Sequence, residues 1–74
     1  MNILFFGRLR DGPAAGPIPA DVRDVEALRA WLGRGRPELL DPSIRVVVND
    51  EILTGNRPLG ESDEVAFLPP MSGG

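Results

Sequence analysis

The chain has 74 residues and a formal net charge of −3, with 42% hydrophobic and 26% charged residues and no Cys, His, Lys or Tyr. This composition excludes disulfides, structural zinc, a thiolate or imidazole catalyst, a Schiff-base amine and a P-loop lysine. The acidic balance also argues against a nucleic-acid partner, which calls for a basic face.

A chain this short makes one domain, 1–74, with a small core that packing alone must stabilise. The first element in chain order is Asn2 to Phe6, a continuous apolar run closed by Gly7, too short for a helix and rich in strand formers. Arg8 to Pro13 reads as a turn. Ala14 to Pro19 fits only an edge strand, the return leg of a hairpin, because Pro17 and Pro19 cannot donate to a ladder. The helix is predicted over Asp24 to Leu32. Asp24 is its N-cap, Val22 packs over the first turn, and Val25, Leu28 and Leu32 form a narrow apolar stripe with Trp31 at its edge. Gly33 or Gly35 supplies the C-cap and Pro37 forbids continuation.

Glu38 to Pro42 is a connecting turn. Ile44 to Val48 is the strongest strand, β-branched at four of its five positions, and Asn49-Asp50 turns it into Glu51 to Leu53. Thr54 to Ser62 is a loop anchored by Leu59, and Glu64 to Leu68 is the last strand. The Pro69-Pro70 pair ends its pairing and leads into an extended tail, Met71 to Gly74. The order ββαβββ or ββαββ, with one helix across a mixed sheet and the first and last strands central and adjacent, predicts an α+β β-grasp fold. The chain holds no apolar run long enough to span a bilayer, and Met1 leads into a strand without the basic region of a signal peptide. A cytoplasmic protein with no membrane partner is therefore expected.

With so few reactive side chains, the C-terminal carbonyl of Gly74 is the leading group for chemistry. The lack of Lys makes the chain a donor, never an isopeptide acceptor. The adjacent pairs Asp50-Glu51 and Asp63-Glu64 would point to opposite faces of a strand and read as solvent residues, and no metal site is expected. Gly7, Gly12 and Gly16 lack the spacing of a phosphate loop. Asp11 and Arg8 to Arg10 could orient a partner, although a solvated turn is the plainer reading. One helix can cover only one sheet face. Ile3, Phe5, Val65 and Phe67 are assigned to that face with Leu28 and Leu32, leaving Phe6, Leu68 and Ile52 uncovered as a docking patch. The competing reading buries these three under a loop.

Two segments, Ile3-Leu-Phe-Phe-Gly-Arg-Leu-Arg-Asp11 and Asp63-Glu-Val-Ala-Phe-Leu-Pro-Pro-Met-Ser-Gly-Gly74, with Val48-Asn49 between them, resemble the small subunits of molybdopterin synthase. The resemblance covers essentially the whole chain, and its specific part is the strand, the Pro-Pro pair and the Gly-Gly in fixed register. Met71 replaces the more usual Val. Ser62 stands where the family often has Gly, at a cost of up to about 1 kcal/mol if the position needs positive φ.

The resemblance implies a ubiquitin-like sulfur carrier. An E1-like enzyme, using its own ATP and magnesium, adenylates the Gly74 carboxylate, and sulfur from a donor protein displaces AMP to give a thiocarboxylate. The large subunit, in a heterotetramer, then uses that sulfur for the molybdopterin dithiolene. The chain itself would bind no cofactor and act as a non-catalytic sulfur-donating subunit. Gly74 is the reacting residue and Gly73 the access residue, while Pro69, Pro70, Met71 and Ser72 join the docking patch. Two other readings stay open: a carrier for thiamine thiazole, tRNA or cysteine synthesis, or a protein modifier joined through Gly74.

Overall fold

A computed structural model describes residues 1–12 and 15–70 of the chain. Four strands form one mixed sheet: β1 (Asn2–Phe5), β2 (Arg45–Val48), β3 (Glu51–Ile52) and β4 (Glu64–Leu68), in spatial order β1-β4-β2-β3. Strands β1 and β4 run parallel, Asn2 opposite Glu64 and Phe5 opposite Phe67. Strand β2 is antiparallel to both β4 and β3. The helix α1 (Val25–Gly33) crosses one face, which is the β-grasp arrangement expected of the chain.

Local chemistry accounts for most boundaries. The Asp24 carboxylate accepts from Ala27 N at 2.8 Å, satisfying one of the orphan donors of the first helical turn. Asn49 and Asp50 both adopt positive φ, 49° and 71°, as a two-residue hairpin turn of matching twist requires. Both residue types tolerate that conformation because a short polar side chain can bond locally. Ser62 is not in the positive-φ region, so the cost raised for it does not arise.

Alternation then sorts the sheet residues. Val46, Val48, Val65 and Phe67 are buried and meet Val25, Leu28 and Leu32 of the helix, with Ile3, Phe5, Val22, Trp31 and Leu59 packed around them. The Phe5 and Phe67 rings stack at 5.7 Å across the β1–β4 pair.

Three expectations need correction. Residues 15–19 form no strand, and Ala14 lies outside the described residues. Two prolines in that stretch leave too few donors for a ladder, so β1 is an edge strand among the described residues instead of a central one. Glycine does not supply the helix C-cap. Arg34 caps α1 in the right-handed conformation, and Arg36 N still bonds Leu32 O at 3.0 Å, so the exit requires no left-handed residue. Gly33 serves close packing instead, since an added Cβ would lie 2.6 Å from a Leu40 methyl.

The third correction concerns the segments read as plain turns. They contain 3₁₀ helices, Gly7–Asp11 and Pro37–Leu40, whose Leu9 and Leu39 are buried core residues. An arginine secures each of them. Arg36 is buried. It donates to Leu9 O at 2.6 Å and to the Glu38 carboxylate at 3.2 Å, with its guanidinium 4.3 Å from the Phe5 ring centroid. Arg29 donates to the carbonyls of Leu39, Asp41 and Ile44, fastening the second 3₁₀ segment and the start of β2 to the helix.

Candidate functional site: the uncovered sheet face and the root of the tail

The sheet has a second face that no helix covers. Because β1 and β4 are parallel and β2 pairs antiparallel to β4, Leu4, Ala66, Leu68, Val47 and Ile52 all project to it. Phe6, just beyond β1, continues the same row and is held to the sheet by its N–H to Phe67 O at 3.1 Å. The exposure is unusual for such side chains: Phe6 keeps 46% of its surface in solvent and Ile52 65%. Leu4, Phe6, Val47, Ala66 and Leu68 line a shallow depression of about 180 Å³, with Asp50 and Glu64 at its far edge.

The patch expected from sequence alternation is therefore assembled. Phe6, Leu68 and Ile52 share the free face, and the reading that buries Phe6 and Ile52 under a loop does not hold. Leu4, Val47 and Ala66 complete the patch. They were legible in principle, since each lies between two core-facing neighbours on its strand.

Pro69, partly exposed, and Pro70, exposed, follow directly from β4 and mark where the chain leaves the sheet. The exit is set by a close approach. Gly7 adopts φ +59°, and a Cβ there would lie 2.7 Å from Pro69 Cγ, so the corner after β1 and the first tail proline share one contact. The remaining tail residues singled out above, Met71, Ser72, Gly73 and Gly74, lie outside the described residues.

At the opposite end of the sheet a polar latch fixes where β4 begins. Asn49 Nδ2 donates to the Asp63 carboxylate at 2.8 Å, Gly60 N donates to its other oxygen at 2.7 Å, and Glu64 N donates to Asn49 Oδ1 at 3.0 Å. The Gly60 N–H, followed by the Asn49 amide, holds the Asp63 pKa below its ordinary value. Asp41 is lowered in the same way by the backbone N–H and hydroxyl of Ser43. Both carboxylates serve turns. Among the described residues no three carboxylates converge into a metal-holding set, and no helix is long and apolar enough to cross a membrane.

A strand with one apolar face free, leading through a proline pair into Gly-Gly, can be compared with known proteins. Residues 3–74 match the ThiS family. The chain belongs to that family. Relatives similar over their full length include the "Molybdopterin synthase sulfur carrier subunit" of Escherichia coli (strain K12), 36% identical across all of this chain and 99% of the relative. The protein of the same name from Mycobacterium tuberculosis is 35% identical across all of this chain and 96% of the relative. Membership in the ThiS family agrees with the ubiquitin-like β-grasp topology. It also places the match from Ile3 of β1 through the Gly-Gly pair, with the uncovered face inside the matched region.

Proposed function

We propose that this chain is the sulfur carrier subunit of molybdopterin synthase, with Gly74 as its reacting residue. The observation that carries the reading is continuity: one apolar, uncovered sheet face reaches Leu68 just before Pro69, five residues ahead of the sequence's Gly-Gly end, in a chain similar over its length to proteins of that name. A carboxylate is a poor electrophile. An E1-like partner, using its own ATP and magnesium, would convert the Gly74 carboxylate into an acyl adenylate with loss of pyrophosphate. Sulfur from a donor protein would then displace AMP and leave a thiocarboxylate. The large subunit would take that sulfur for the dithiolene, with water cleaving the acyl–sulfur bond and returning the carboxylate to the carrier.

The chain's own contribution is placement. Phe6, Ile52 and Leu68, with Pro69, Pro70, Met71 and Ser72, would seat the carrier on its partner in a cytoplasmic heterotetramer. The six residues from Pro69 to Gly74 span at most about 20 Å, enough to reach a buried site. Gly73 would leave the terminal backbone free of side-chain clashes in a narrow passage. Acid, base and nucleotide sites would belong to the partners, in keeping with a chain that has no His or Lys.

Deleting Gly74 tests this directly. The variant should keep its fold and its binding to the large subunit while sulfur transfer falls to background. The full chain, incubated with the activating enzyme and a sulfide source, should gain the mass of one oxygen-to-sulfur exchange. Surviving transfer in the deletion would sink the mechanism. A loaded carrier that serves only thiazole, tRNA or cysteine synthesis, or ladders of proteins joined through Gly74, would overturn the choice of product.

A further inference from the structure

The charges of this acidic molecule are not spread evenly. Arg45, the residue opposite Leu68 in the β2–β4 pair, stands beside the last residue before Pro69. Arg8 follows Gly7, whose backbone contacts Pro69, and Arg10 lies in the same 3₁₀ segment. All three are exposed, and none forms an ion pair among the described residues. Arg29 and Arg36 add charge at this end while bonding carbonyls of Leu9, Leu39, Asp41 and Ile44. Four carboxylates lie near these five arginines: Glu26 lines one depression with Arg29 and Arg45, Asp11 ends the first 3₁₀ segment, and Glu38 and Asp41 lie in and just after the second. Asp41 lies within the field of Arg8 and Arg29, and Glu38 is paired with Arg36.

The other end of the sheet reverses this. Asp50 and Glu51 at the hairpin, with Glu61, Asp63 and Glu64 before and at the start of β4, set five carboxylates against Arg23, Arg57 and the Met1 amine. The apolar patch lies between the two poles, with Arg45 on the tail side and Asp50 and Glu64 on the other.

We infer that the cationic collar around the tail root, Arg8, Arg10 and Arg45, docks on a carboxylate-lined rim at the mouth of the partner site that receives the tail. This rests on the functional reading above and deepens it. Charge complementarity calls for an anionic surface, and geometry decides which one. The tail can carry its terminus up to about 20 Å from the collar, so arginines at its root remain at the entrance when the terminus is inserted, out of reach of a nucleotide deep within. A nucleic-acid surface is disfavoured by the net charge of −3 and the acidic opposite pole.

A rim of side-chain carboxylates meets both conditions. Such a partner repels the carrier as a whole and attracts it by one end. The field therefore selects the orientation in which the tail arrives first, and acts mainly on the association rate.

Stopped-flow association of the intact chain with the large subunit of molybdopterin synthase, across a salt series, tests the inference. For the wild type the rate should fall about tenfold or more as salt screens the collar. The double variant Arg8→Glu/Arg45→Glu should associate at least about tenfold more slowly at low salt and lose most of its salt dependence. Its dissociation rate should stay within about threefold of wild type, because rim charges act on encounter. Arg8→Gln/Arg45→Gln should fall between the two and guards against misfolding of the reversal, with cooperative thermal melts checked for each. Glu51→Gln, at the far pole, should leave the rate within about twofold. Wild-type binding that is indifferent to salt, or reversal variants that associate like wild type, would overturn the collar alone. A wild-type chain that does not bind the large subunit at all would overturn the functional reading, and the collar with it.

Discussion

Phe67 and Leu68 are neighbours on one strand, yet they belong to two different regions of the molecule. Phe67 points to the helix-covered face, has no exposed surface and stacks on Phe5. Leu68 points to the uncovered face, stays partly exposed and lies beside Phe6 at the root of the tail. Both faces are apolar, so hydrophobicity alone does not distinguish them. The difference is that one face has α1 to bury against and the other has no covering element among the described residues. A domain of 74 residues with one helix can close one face only, and the same β4 supplies both a core and a contact surface.

Mutations on the two faces should therefore separate stability from binding. The largest effect is expected from Phe67→Ala. Loss of a fully buried ring should cost about 3–5 kcal/mol, a large share of the roughly 5–15 kcal/mol that holds a typical domain. Urea denaturation should show a marginal or unfolded variant, and a loss of only about a few tenths of a kcal/mol in unfolding free energy would mean the core is centred elsewhere.

Leu68→Asp should do the opposite. The cooperative melt should stay near that of wild type, while affinity for the large subunit, read by calorimetry, falls about tenfold or more because a carboxylate must then be desolvated in the interface. Collapse of the native fold would erase the distinction and return Leu68 to the core.

A smaller effect sharpens the role of the far pole. The Asp63 pKa is lowered in the folded protein by the Gly60 N–H and the Asn49 amide. Its contribution to stability is therefore complete above the unfolded value near 3.8 and is lost as the pH falls through the lower folded value. Asp63→Asn removes that titration. The urea midpoints of wild type and variant should differ at about pH 6 and converge towards about pH 3. The pKa of Asp41 is lowered in the same direction, so some acid sensitivity should persist in the variant. A gap that stays constant with pH would show that the latch does not depend on the Asp63 charge.

Much of this organisation was legible in the chain itself. Three of the four strands, the helix with its Asp24 cap, the Asn49-Asp50 turn, and the division of Ile3, Phe5, Val65 and Phe67 from Phe6 and Leu68 all follow from apolar runs, alternation, helical spacing and the chemistry of cap and turn residues. Even the short β3 was expected, one residue longer than observed. The errors have different causes. Over 15–19 Pro17 and Pro19 leave too few donors for a ladder, and at the helix end the Arg36 N–H to Leu32 O bond carries the exit without a left-handed residue. Leu9 and Leu39, each in a segment read as a turn, became core because Arg36 and Arg29 draw those segments inward by their carbonyls. A buried arginine serving a backbone carbonyl has no periodic signature.

By itself, then, the amino-acid sequence determined the element types, the two-faced character of the sheet and the restriction of reactive chemistry to the Gly-Gly segment. These are properties of side-chain alternation and residue inventory, which each stretch carries locally. Tertiary structure alone decided that β4 lies inside the sheet beside an edge β1, that Pro69 lies against the left-handed Gly7, and that Arg8 and Arg45 both border the tail root. Those facts join residues tens of positions apart. They depend on which strands pair and in which direction, and only the burial of a shared core settles that choice.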